Sequence, residues 1–136
     1  IETAMRIGEL CALRVSDFHP AEQYAQLRDT KNGDDRQVPL STTAIKYLMI
    51  LCANKMPTDK VFPLIAATLG EYFLEARRKC GLEHLVFHDS RHTAATQLSA
   101  KLPNVLELSA VTGHRSLKSL KRYYHPTPAA IAGKLG

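Results

Sequence analysis

The chain has 136 residues, 45% of them apolar and 23% charged, and its 18 lysines and arginines outnumber 13 acidic residues for a formal charge of +5. Those values place it among ordinary soluble globular domains able to bury a core without disulfides or metal, and no apolar run approaches the roughly 20 residues a bilayer span needs. The positive balance favours a polyanionic partner. Cys11, Cys52 and Cys80 are far apart and set among apolar residues, which argues against a disulfide framework or a zinc site and predicts buried free thiols in a reducing compartment. The chain opens on Ile1-Glu2-Thr3-Ala4 without a methionine and reads as an internal piece of a longer protein.

In chain order, Ile7, Leu10 and Leu13 repeat at helical spacing and predict a short helix from Thr3 to Leu13 with Arg6 and Glu9 on another face. Three extended stretches follow, Leu13 to Phe18, Tyr24 to Asp29 and Arg36 to Leu40, which predict a small three-stranded antiparallel sheet. Asn32-Gly33 is a hairpin turn signal and puts Lys31 at the hairpin mouth. Ser41 opens a helix through Asn54; Thr68 with Glu71 reads as a capping box ahead of a helix from Tyr72 to Cys80, stopped by Gly81. Further helices are expected from near His88 and Asp89 to about Ala100, from Asn104 to Thr112 with Gly113 as terminator, and after Ser116, before a small apolar tail from Pro126. The outline is one α+β domain, mainly helical, with a small three-stranded sheet.

In His88-Asp89-Ser90-Arg91-His92, His88 and Arg91 are three apart and share one helix face at the first turn, where exposed N–H groups also attract an anion. A phosphate suits that pairing. Asp34-Asp35 could be taken for metal ligands but lies in a polar turn and reads as solvated. Arg77, Arg78 and Lys79 form a basic run that is either a solvated face or a phosphate-tracking surface.

Five motifs in order, Met5-Arg6-Ile7-Gly8-Glu9-Leu10, Thr30-Lys31 before Arg36-Gln37-Val38-Pro39-Leu40, Phe87 to Ala95, Thr112-Gly113-His114-Arg115-Ser116 and Arg122-Tyr123-Tyr124-His125, cover nearly the whole chain. Together they strongly resemble the tyrosine recombinases, the phage-type integrases with a lambda-integrase-like catalytic domain. The resemblance implies that Arg6 and Arg91 clamp the non-bridging oxygens of a scissile DNA phosphate through planar, charge-assisted hydrogen bonds. It makes Lys31 the general acid for the departing 5′ oxygen, His88 a general base or hydrogen-bond partner of the nucleophile, and His114 a donor to a phosphate oxygen. Glu9 is expected to orient the clamp from behind, and His92 to support the helix that carries Arg91. No metal or other cofactor is implied, since these side chains supply the positive charge.

For the nucleophile, Tyr123 stands two residues before His125, as the family pattern has it. Helical phase puts Leu117, Leu120 and Tyr124 on one stripe, which sends Tyr124 into the core and leaves Tyr123 outside it. A free phenol, with a pKa of about 10, attacks poorly unless a base and a positive clamp assist it. The implied reaction is a pair of transesterifications through a 3′-phosphotyrosyl bond, giving site-specific recombination or integration. Double-stranded DNA, a homotetramer on paired sites and accessory DNA-bending or directionality proteins are the implied partners, in a bacterial cytoplasm. The tail, with Ile131 and Leu135 spaced i, i+4, is a candidate docking face for a neighbour. Two other readings use the same residues: relaxation of DNA as by a type IB topoisomerase, and a DNA-binding remnant without catalysis. Against the family pattern, Ser90 replaces a usual leucine, and the helix and separate core-binding domain expected before Arg6 are missing from residues 1–136.

Overall fold

The computed structural model of the chain describes residues 2–28 and 35–136. Lys31, with the Asn32-Gly33 turn and Asp34, lies outside the described residues. Among those described, helix α1 (Ile7–Ala12) leads into strands β1 (Phe18–His19), β2 (Tyr24–Leu27) and β3 (Arg36–Pro39). Helices α2 (Thr42–Cys52), α3 (Ala66–Lys79), α4 (Phe87–Lys101), α5 (Val105–Thr112), α6 (Leu117–Leu120) and α7 (Pro128–Leu135) follow. The sheet is antiparallel in the order β1-β2-β3, with Phe18 opposite Ala25 and Ala25 opposite Val38. Alternation puts Ala25, Leu27 and Val38 on the core face, joined by Met5, Leu13, Leu40, Ala44, Leu48, Val61 and Val111. Helix α5 lies against β3 and α4 against α5, so the helix that bears Arg91 is referred to the sheet through α5. No described helix is long and apolar enough to cross a membrane.

The helical caps are largely those expected. Ser41 Oγ accepts from the Ala44 N–H (3.1 Å), and Asn104 Oδ1 accepts from the Leu106 N–H (2.9 Å). Gly81 (φ 68°) and Gly113 (φ 69°) end α3 and α5 in the left-handed conformation.

Four expectations are corrected. The first helix starts at Ile7 and not Thr3, because Ala4 is left-handed (φ 50°), Arg6 is extended and the Arg6 N–H is capped by Glu9 Oε2 at 2.8 Å. The stretch from Leu13 to Phe18 does not form the outer strand. Its backbone groups pair with the 57–61 loop instead, through Val61 N–H to Leu13 O (2.9 Å), Val15 N–H to Asp59 O (3.0 Å) and Ser16 N–H to Pro57 O (2.9 Å). Arg14 N–H to Asp17 Oδ2 (3.1 Å) then closes a 3₁₀ turn, Val15–Asp17, and only Phe18–His19 is left as β1. Thr68 and Glu71 form no capping box: the good helix formers Ala66 and Ala67 start α3 after the extended Ile65, so both lie inside the helix. Of the three thiols only Cys11 is buried; Cys52 is half-buried and Cys80 exposed at the end of α3.

Leu108 is fully buried while Leu106, on the same helix, is 69% exposed. Leu108→Ala is expected to lower the unfolding free energy by about 2–5 kcal/mol in urea titration, against less than about 0.5 kcal/mol for Leu106→Ala.

Candidate active site

Helix α4 opens with the Val86 N–H bonded to Asp89 Oδ2 (2.7 Å), which sets the phase of the turns that follow. Two turns of that helix carry His88, Arg91 and His92 on one side. Arg91 is only 3% exposed, and its terminal nitrogens donate to two main-chain carbonyls from opposite ends of the chain, Ala4 (2.5 Å) and Thr112 (2.5 Å). Burial, then the neighbouring positive charge of Arg6, lowers its pKa to about 10, which leaves it charged at neutral pH. The left-handed turn at Ala4 and the extended Arg6 place Arg6 beside this buried guanidinium, and Arg6, His88 and Arg91 line one cleft of about 570 Å³.

Glu9 stands behind Arg6, as expected, but it serves two guanidinium groups. Arg6 Nη1 donates to Glu9 Oε1 (3.1 Å) and Arg36 Nη2 to Glu9 Oε2 (3.0 Å), with Glu9 8% and Arg6 31% exposed in their side chains. Arg36 is the first residue of β3, a few residues after Lys31 in sequence, and the sequence reading gave it no role. Its side chain lies across Gly113: a Cβ there would be 2.6 Å from Arg36 Cζ and 2.9 Å from Nε. Gly113 is thus required twice, by its positive φ and by the guanidinium packed on its Cα. Among the described residues Arg36 Nε and Nη1 are buried with no hydrogen-bond partner, and burial lowers the pKa of this group while Glu9 opposes the shift. The one available signal was that Arg36 opens the second part of the motif containing Lys31; its contact with Gly113 is long-range and invisible to periodicity.

The turn after Gly113 presents His114. Its Nδ1 lies 2.7 Å from Thr112 Oγ1, and that hydroxyl already donates to Leu108 O at 2.8 Å. Nδ1 is therefore the donor of the pair, the ring proton of neutral His114 sits there, and Nε2 is left bare. Burial first, then the charges of Arg91 and Arg6, lowers the His114 pKa to about 4.

Tyr123 ends the 3₁₀ turn Lys121–Tyr123 that continues α6. Its hydroxyl is 2.8 Å from His92 Nδ1, and its ring centre is 6.2 Å from that of His114. His88 meets His92 edge to face, with centres 4.8 Å apart. Among the described residues the phenol is touched by His92, one helical turn further along the same face than His88, a position the i, i+4 spacing could have flagged. Burial and the nearby His92, Arg91 and Arg6 lower the His88 pKa. Tyr124 does not enter the core as expected: it is half-buried, as Tyr123 is, with its hydroxyl donating to Leu102 O at 2.6 Å. The helical stripe does not form, because α6 ends at Leu120 and Leu117 is exposed. In the basic run, Arg77 ties the following loop through Leu85 O, and Lys79 pairs with Glu75 (2.7 Å).

Between about pH 4 and 6.5 the unfolded chain holds a proton that folded His114 refuses, so stability should fall as pH drops through that window and level off below it. His88 adds in the same direction. Urea unfolding across the window should show a shallower slope for His114→Gln. At Gly113 a double-mutant cycle is expected to be non-additive: Gly113→Ala should cost more than the about 1–2 kcal/mol of a left-handed residue, and only that much in an Arg36→Ala background.

A family model described as the phage integrase family matches residues 1–130. The shufflon-specific DNA recombinase of Escherichia coli is 38% identical over 136 residues, covering 99% of this chain and 35% of its own length. This chain thus spans about a third of that relative. The catalytic domain of bacteriophage HP1 integrase superposes with a TM-score of 0.72 at 25% identity, over 98% of this chain and 74% of that one. The Tn1549 transposon integrase, solved with circular intermediate DNA, shares the fold with a TM-score of 0.72 at 22% identity, over 99% and 54% of the two chains. Given that match over nearly its full length, the chain belongs to the phage integrase family, the tyrosine recombinases.

Proposed function

We propose that the chain is the catalytic domain of a site-specific DNA recombinase that cuts and rejoins strands through a 3′-phosphotyrosyl bond at Tyr123. The observation that carries this is the contrast between the adjacent tyrosines: the Tyr124 hydroxyl is tied to a main-chain carbonyl, while that of Tyr123 is held by an imidazole beside the arginine-lined cleft. Arg6, the more exposed guanidinium, and one edge of the buried Arg91 grip the non-bridging oxygens and offset the charge of the pentacovalent transition state. Arg91 cannot reorient without freeing two buried carbonyls, so it acts as a fixed electrostatic element, and Arg6, held through Glu9, is the adaptable one.

Lys31 is the general acid for the 5′ oxygen in this scheme, a role that rests on the sequence motif. His114 donates to a phosphate oxygen through Nε2, which requires a second proton on its ring. The bound phosphate supplies the negative charge that draws that proton, so phosphate engagement is linked to proton uptake at His114. The partner duplex, a tetramer on paired sites and docking of α7 onto a neighbour belong to the same reading. In support, Ile131 and Leu135 are exposed on α7. Residues 1–136 are the catalytic part of a larger recombinase in this reading, so a separate DNA-clamping domain should be needed for efficient cutting.

Incubation with a nicked suicide duplex should give a covalent protein–DNA adduct from the full-length protein and from Tyr124→Phe, and none from Tyr123→Phe. An adduct from Tyr123→Phe would remove the assignment.

A further inference from the structure

Among the described residues, the atom that must lose a proton in this chemistry, the Tyr123 hydroxyl, has its hydrogen-bonding contact with His92 Nδ1 at 2.8 Å. The two rings are tilted by 36° with centres 6.4 Å apart, so the contact is end-on through the polar atoms and is not ring stacking. His88 meets the His92 ring edge to face, at 4.8 Å between centres and 88° between planes. The nitrogen of His114 nearest the helix is occupied by Thr112, and its ring is already fixed for another contact. Each imidazole therefore has a different neighbour, and only one of them touches the nucleophilic oxygen.

Resting on the recombinase reading above, we propose that His92 is a catalytic residue that accepts the phenolic proton of Tyr123, with His88 supporting it edge to face. Neutral His92 with its proton on Nε2 presents the Nδ1 lone pair to the phenol, so the O–H bond lies along the transfer path. As the Tyr123 O–H bond breaks, its electron pair forms the O–P bond and the proton passes to Nδ1. The P–O5′ bond breaks, and the leaving oxygen takes a proton from Lys31, the acid of the scheme. Religation reverses both transfers, with His92 returning its proton to the phenol. The charged and titratable groups around this pair are Arg91, which interacts with Tyr123, and His88 and His114, which interact with His92, while Glu9 is held by Arg6 and Arg36. Burial, and after it the charge of His92, lowers the His88 pKa.

The test uses the full-length protein with His92→Asn, which keeps a hydrogen-bonding side chain without a basic nitrogen, and His88→Asn as its counterpart. Adduct formation on a nicked duplex should fall by about 10²- to 10⁴-fold in His92→Asn, with DNA affinity and melting midpoint unchanged. The acid-side fall of the pH–rate profile should vanish in His92→Asn and persist in His88→Asn, and added imidazole should partly restore His92→Ala. A duplex with a 5′-bridging sulfur needs no proton at the leaving group; it should rescue Lys31→Ala and leave His92→Asn slow. A rate for His92→Asn within about tenfold of the unaltered protein, with its pH limb intact, would overturn the proposal, as would loss of that limb in His88→Asn alone. Absence of any Tyr123 adduct from the unaltered protein would instead overturn the recombinase reading itself.

Discussion

The fold is organised around a guanidinium group removed from water. Arg91 is nearly sealed off and bonded to the carbonyls of Ala4 and Thr112, so a cation on α4 joins the segment before α1 to the end of α5. Removing a buried charge from its partners costs several kcal/mol and strands the carbonyls it satisfied. Three backbone segments are consequently fixed relative to one another by one side chain, and they are the segments that precede Arg6, carry His88 and His92, and lead into His114. The left-handed Ala4 belongs to this constraint, because the helical start expected from Thr3 would have directed its carbonyl along α1.

A second layer distributes charge around that anchor. Glu9 is shared between Arg6 and Arg36, and Arg36 in turn lies on Gly113, so β3, α1 and the turn before His114 meet at one carboxylate. Sharing leaves neither arginine fully neutralised. A carboxylate given wholly to Arg6 would compete with a phosphate for it; divided, it orients the group and leaves net positive charge on the cleft.

Much of this was legible in the chain. The caps at Ser41 and Asn104 and the stop at Gly113 follow from local chemistry, and so did the inner strands, whose alternation is carried by Ala25, Leu27 and Val38. Failures arose where a long-range partner or a stronger neighbouring signal overrode a local pattern. Residues 13–16 have strand composition but bond to the 57–61 loop, and Thr68 and Glu71 have the letters of a cap inside a helix that two alanines start earlier. At the site, motif order pointed to Arg6, His88, Arg91, His114 and Tyr123, while the contact between His92 and Tyr123 depends on where α6 ends and by how much the next turn tightens. Arg36 shows the same limit, since nothing in residues 36–40 announces that a guanidinium will lie on a glycine far along the chain. The core position expected for Tyr124 rested on a helical stripe that does not exist; what distinguishes it from Tyr123 is the bond of its hydroxyl to the Leu102 carbonyl.

The short length of α6 has one further consequence. Around Tyr123 the backbone is fastened at two nearby points, the buried Leu120 side chain and the Tyr124 hydroxyl on Leu102, with Leu117 free in solvent. A phenol between two pivots can advance by rotation of the segment about the line that joins them, without loss of either attachment. Movement of the Tyr123 phenol off His92 is then decoupled from unfolding of α6, and its arc is set by the distance from that axis to the ring.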